Sequence, residues 1–132
     1  MRSPQMIVFV CLHGTAKSVI AAAYWNRFAA ERGVEIHATA VGIEPDPEIP
    51  PSVRDGLHED GLDVGALRPR RVTPDELSTA AQVVSFGCDL HEVAPPGRRV
   101  EWWDDVPAVS EGFREARDAI VARVQRLLEA CG

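Results

Sequence analysis

Met6-Ile7-Val8-Phe9-Val10 is a run of five apolar residues that leads directly into Cys11-Leu12-His13-Gly14-Thr15-Ala16-Lys17-Ser18. An unbroken β-branched and aromatic run of this length is the pattern of a strand covered on both faces, as in the middle of a parallel sheet. After a turn over residues 12–15, the Ala-rich residues 18–32, halted by Gly33, predict a helix that begins at or near Ser18. Ile36, Ala38 and Ala40 then alternate with polar residues across 35–41 and predict a second strand. The unit is strand, helix, strand.

Working outward, residues 42–51 carry four prolines and no periodicity, which makes them a loop. Pro50-Pro51 opens a short helix over 52–60 that ends at Gly61. Thr73-Pro74-Asp75-Glu76 has the composition of a helix start leading into 77–81, and Val83 and Val84 mark a third buried strand over 82–86. A loop over 87–97 precedes a fourth strand over 99–103. Phe113, Ala116, Ile120, Val124, Leu127 and Cys131 recur every three or four residues and predict a closing helix with one apolar stripe. Alternating strands and helices of this kind predict an α/β fold: a single domain over 1–132 built on a doubly wound, four-stranded parallel sheet with flanking helices.

Composition narrows the function. The chain has 132 residues, 45% hydrophobic and 26% charged, with a net charge of −6, which argues against a nucleic-acid binder or a polybasic membrane module. Cys11, Cys88 and Cys131 are too few for a disulfide framework, and neither Cys-x-x-Cys nor a Cys/His cluster with zinc-ligand spacing occurs, so no metal and no cofactor are expected. Met1-Arg2, the apolar run and Ala21-Ala22-Ala23 imitate a short secretory signal, but His13 and Lys17 interrupt the pattern and removal would delete the first strand. The expectation is a reducing, cytoplasmic setting.

The residues from Cys11 to Ser18 carry the chemistry. A loop from the end of a buried strand into a helix start directs main-chain amides at the space above the strand, and the helix dipole adds positive potential, so the concavity suits a tetrahedral oxyanion. Leu12, His13, Gly14, Thr15, Ala16 and Lys17 would supply that cradle. A cysteine beside a helix N-terminus and a cation is readily ionised and nucleophilic, and Cys11 has both neighbours. Lys17 is the only lysine, since thirteen of the fourteen basic residues are arginine. His13 has no carboxylate partner identifiable from the sequence and reads as a loop residue rather than a catalyst.

Cys11, five residues, then Lys17-Ser18 resembles the phosphate-binding loop of the low-molecular-weight protein tyrosine phosphatases and of the thioredoxin-coupled arsenate reductases that share their fold, where Arg-Ser follows the five residues. Residues 38–45, the Pro-x-x-Val that ends at Val53, Gly61-Leu62-Asp63, Ser85-Phe86-Gly87-Cys88 and Arg117-Asp118-Ala119-Ile120 resemble the same families in the same order. The resemblance implies a phosphotyrosine-phosphatase-like fold in which Cys11 attacks the oxyanion, Ser18 hydrogen-bonds the thiol, and Lys17 stands in the place of the arginine that clamps the oxyanion. Lysine is a point charge without arginine's planar fork, so its stabilisation of a tetrahedral anion is weaker. His13 and Gly14 stand where those families usually carry Gly and Asn.

The families protonate the leaving oxygen with an Asp directly before a Pro, whereas this chain has Trp103-Asp104-Asp105-Val106-Pro107. Asp105 is the candidate acid, with Asp104 in reserve. Cys88 resembles the second redox cysteine of the reductases; their third has no counterpart in residues 89–96, and Cys131 reads as packing. One of Trp102 and Trp103 is expected in the core and the other beside the pocket. The expected ligand is phosphate or arsenate, with an external thiol or redoxin as reductant, or a phosphoprotein as substrate. Arsenate reduction leads, phosphomonoester hydrolysis through a phosphocysteine is the alternative, and a phosphate-binding regulatory protein with little turnover is the third reading.

Overall fold

The computed structural model describes residues 5–90 and 92–131. The elements run β1 (Met6–Cys11), α1 (Lys17–Arg32), β2 (His37–Gly42), α2 (Pro51–Glu59), α3 (Pro74–Thr79), β3 (Gln82–Ser85), β4 (Glu101–Trp102) and α4 (Phe113–Cys131), with a short 3-10 turn at Val109–Glu111. The sheet is fully parallel in the order β2-β1-β3-β4, so β1 is interior. Its alternate residues serve two cores. Ile7 and Phe9 pack with α1, α2 and α4 on one face, while Val8 and Val10 pack with Leu77, Val83 and Leu90 on the other. The doubly wound α/β sheet expected from the sequence is the fold observed.

Local chemistry accounts for the element ends. Gly33 adopts φ 70° and its amide donates to the carbonyls of α1's last turn, a left-handed cap that ends the helix. Thr73 and Glu76 form a reciprocal capping box at the start of α3, with Pro74 at the first helical position. The fourth strand is shorter than expected, two residues instead of five, because β4 is an edge element that pairs with β3 only at Glu101 and Trp102. Trp103 is the core tryptophan, tilted against Phe9 and edge-on to Phe86. Trp102 is 51% exposed and lies toward α4, not beside Cys11, which corrects the expectation that it walls the pocket. The Met1-Arg2 start and the packing of the Cys131 side chain lie outside the described residues.

A polar clamp ties three helices together. The Tyr24 hydroxyl on α1 donates to the Asp60 carboxylate at the end of α2, which also accepts from Arg117 Nη1 on α4 at 3.0 and 3.1 Å. Burial and the bond to Asp60 push the Tyr24 hydroxyl up to about 12. Burial alone would raise Asp60, but the donors from Tyr24 and Arg117 outweigh it and hold its carboxyl below the ordinary value. Stability contributed by Asp60 is therefore lost as pH falls below the ordinary carboxylate range. That contributed by Tyr24 is complete below pH 10 and is lost as pH rises toward about 12. Asp60→Asn should cost about 2 kcal/mol in urea denaturation at neutral pH, as expected for charge-assisted bonds. Tyr24→Phe should lack the alkaline loss of stability expected of the parent, read from urea denaturation across pH 9 to 12.

Candidate active site

The parallel sheet gives the first reason for a site at Cys11. From β1 the chain moves to β2 on one side and returns to β3 on the other, so the carboxyl end of β1 is a topological switch point, where α/β sheets open a crevice. Cys11 is the last residue of β1, and Ser85-Phe86-Gly87-Cys88 follows at the same end of β3. The two thiols expected from the sequence thus lie on one edge of the sheet.

The loop from 12 to 16 is shaped by its backbone. The carbonyls of Cys11, Leu12 and His13 accept from the amides of Ile43, Glu44 and Asp46 at 3.4, 2.8 and 3.2 Å. In a trans peptide the N–H that follows a carbonyl points the opposite way, so the amides of residues 12–14 are directed away from that segment. Among the described residues, the amides of 12–16 donate to no protein acceptor. At the start of α1, Ala16 caps the helix with no side-chain bond, and no acidic residue stands in the first turn. Free amide donors and a helix N-terminus free of carboxylates are the features that suit an anion cradle.

Side chains complete it. Cys11 Sγ lies 3.0 Å from the Oγ of Ser18, which is wholly buried. Thr15, 2% exposed, reaches Asp46 at 3.5 Å. His13, the cradle's outer member, places Nδ1 3.1 Å from the Glu44 carbonyl and 3.5 Å from Asp46 Oδ1. The sequence reading missed Asp46, because only the pairing of β2 with β1 brings it beside the loop; its one legible signal was a carboxylate soon after the second strand. Cys11, Leu12, His13, Ala16 and Lys17 line a cleft of about 420 Å³ whose far wall is Pro50, Ser52, Val53, Phe86 and residues 108–110. A cleft of about 630 Å³ between α1, β2 and residues 62–67 holds neither a thiol nor a histidine.

Three predicted participants sit differently from expectation. Lys17 borders the cleft, but its Nζ donates to the carbonyl of Val106 at 2.9 Å, linking the helix start to the loop before Pro107. Asp105 does not reach over the cleft: its carboxylate is paired with Arg123 of α4, whose guanidinium also covers the Trp103 ring at 5.9 Å. Asp104 lies exposed against Gly87, and neither carboxylate lines the cleft. The reason is packing, since burial of Trp103 and Val106 sets the turn between them and swings both carboxylates outward. Cys88 is half-buried, with Sγ 3.4 Å from Ser85 Oγ and 3.7 Å from the Val10 carbonyl. Burial pushes its thiol up, the Ser85 bond opposes that, and the nearby Cys11 charge adds to the rise.

A thiol at the switch point beneath an amide cradle defines a class, and comparison with known proteins agrees. Residues 6–96 match the model of the low molecular weight phosphotyrosine protein phosphatases, and the chain belongs to that family. A Halobacterium salinarum protein named "Putative arsenate reductase" is 29% identical over 126 residues, covering 92% of this chain and 89% of its own. The thioredoxin-dependent arsenate reductase of Corynebacterium glutamicum superposes with a TM-score of 0.83 at 26% identity, covering 99% of this chain and 64% of its own. The fold is shared with YfkJ of Bacillus subtilis, at a TM-score of 0.86, 20% identity and coverage of 98% and 95%. The family's members are enzymes, arsenate reductases and tyrosine phosphatases among them.

The cradle depends on two glycines packed backbone to backbone. A Cβ on Gly42 would lie 2.6 Å from the Gly14 nitrogen, and one on Gly14, at φ 63°, would lie 2.7 Å from the Gly42 nitrogen. Gly42→Ala should therefore push the loop off β2, lower stability by about 2 kcal/mol or more, and abolish protection of Cys11 from iodoacetamide by phosphate. Ser18→Ala should keep that protection while slowing alkylation about tenfold, because the thiolate loses a charge-assisted donor.

Proposed function

We propose that this enzyme reduces arsenate, with Cys11 as nucleophile, the amides of residues 12–16 as oxyanion cradle and Cys88 as the second thiol. The observation that carries the reading is Cys88: its sulfur lies against the main chain of Val10, one residue before Cys11, and the charge of Cys11 acts on it. Phosphomonoester hydrolysis has no use for a second thiol there, whereas reduction of arsenic needs two electrons from two sulfurs. The arsenate reductases named among its relatives support the same choice.

In the reaction, the Cys11 thiolate bonds to arsenic as an As–OH bond breaks and the oxygen leaves as water. Bonding removes the negative charge of Cys11, which eases ionisation of Cys88. The Cys88 thiolate then attacks Cys11 Sγ, and the S–As pair stays with arsenic, which departs as arsenite. The sulfurs are oxidised to a disulfide, and an external thiol or redoxin restores them. Ser18 holds the Cys11 thiolate, and Lys17 contributes its charge at the cleft wall while tethering the loop at Val106. The family model match keeps hydrolysis of a phosphomonoester or phosphoprotein through a phosphocysteine as the second reading.

Without added reductant, arsenate should yield one arsenite per chain and a Cys11–Cys88 disulfide detectable by mass. Cys11→Ser should abolish both. Cys88→Ser should release arsenite only when external thiol is supplied. Turnover of an aryl phosphate with no arsenite and no disulfide would establish the phosphatase instead.

A further inference from the structure

Resting on the reading of Cys88 as the second thiol, we infer that Ser85 is a positioning residue for it: the Ser85 hydroxyl turns from a main-chain carbonyl to the Cys88 sulfur when that sulfur ionises, and holds it ready to attack Cys11. Among the described residues, the buried polar side chains are Thr15, Ser18 and Ser85. Thr15 and Ser18 belong to the loop of Cys11, where Ser18 meets the sulfur at 3.0 Å. Ser85, the last residue of β3, stands beside the other thiol. Its Oγ donates to the Cys88 carbonyl at 2.9 Å, accepts from the Gly87 amide at 3.3 Å, and lies 3.4 Å from Cys88 Sγ. Those bonds fold residues 85–88 into a tight turn, with Gly87 at φ 103°, and set the sulfur against the main chain of Val10.

Counting hydrogens shows what the third contact is for. A serine hydroxyl has one hydrogen to give, and here it goes to the Cys88 carbonyl. The thiol hydrogen points to the Val10 carbonyl at 3.7 Å. A thiolate has none to give, so the Val10 carbonyl becomes an acceptor facing an anion. The hydroxyl, 3.4 Å away, can then rotate about its own Cβ–Oγ bond and donate to the sulfur instead. No covalent bond is made or broken in that rotation, and the proton lost by Cys88 passes to solvent. Burial holds the Cys88 thiol up, the Ser85 hydroxyl and Cys88's own main chain oppose it, and Cys11 and Asp89 add to the rise. Asp104 lies against the neighbouring Gly87. Once Cys11 is bonded to arsenic its charge is gone, and the hydroxyl favours the thiolate against burial and Asp89.

The test has two arms, each run with Ser85 intact and with Ser85→Ala. In the first, Cys88 is alkylated by iodoacetamide in a Cys11→Ser background from about pH 6 to about pH 10 and followed by peptide mass. Ser85→Ala should move the Cys88 titration upward by about one pH unit, the effect of losing one charge-assisted donor. A titration that stays in place or moves down would overturn the inference, whatever the second arm gives. The second arm is single-turnover disulfide formation from arsenate with Cys11 present. At neutral pH the shift leaves about a tenth of the thiolate, each about threefold more reactive for being more basic, so the rate should fall about threefold. Near pH 10 the variant should match or exceed the parent. An equal loss at every pH would mark Ser85 as structural only, and no loss would remove it from the step; either overturns the inference. A parent that forms no disulfide would overturn the arsenate reading and the step with it, and a shifted titration in the first arm would locate the failure in that reading rather than in the contact of Ser85 with Cys88.

Discussion

The close approach of the main chain at Gly14 and Gly42 is the constraint on which the site depends. It lets the loop lie against the end of β2, where the amides of Ile43, Glu44 and Asp46 take its carbonyls. With the carbonyls turned to that side, the amides of 12–14 turn to the other, and the uncapped start of α1 adds its own. Backbone geometry thereby produces positive potential in a chain whose net charge is −6. An anion bound there would be held by local donors and would owe little to the surface field.

The rest of the fold keeps that geometry rigid. β1 is buried on both faces and interior to the sheet, and Cys11 stands at its end. The Tyr24-Asp60-Arg117 clamp joins α1, α2 and α4 on the same face, and α1 carries Lys17 and Ser18 in its first turn. Lys17 has an added consequence: by donating to Val106 it joins the cradle to the loop that forms the opposite wall. A lysine at this position acts here as a tether as much as a charge, a role that its compact ammonium fills as readily as arginine's fork would.

Much of the fold was legible because burial on two faces writes itself as an unbroken apolar run, as in β1, and burial on one face as a helical stripe, as in α4. β4 was overread because its apolar and aromatic residues serve the core through Trp103 rather than through a ladder. At the site, Cys11 and Ser18 were paired through the resemblance of their loop to the family's; seven positions apart in sequence, they lie 3.0 Å from one another. The pairing of Asp105 with Arg123 was not legible, because no local pattern reveals a contact between residues 18 positions apart on a loop and on α4. Asp46 was invisible for the same reason, since its proximity to His13 and Thr15 exists only once β1 and β2 are in register.

The central claim is that the main-chain donors of residues 12–16 converge on one small anion above Cys11. Titrating phosphate or arsenate into isotope-labelled Cys11→Ser protein, with backbone amides followed by NMR, tests it most directly. The account predicts saturable shifts concentrated in the amides of residues 12–16 and the first turn of α1, lost when Gly42 is replaced by Ala. Absence of saturable shifts there, or shifts confined to residues elsewhere, would contradict it.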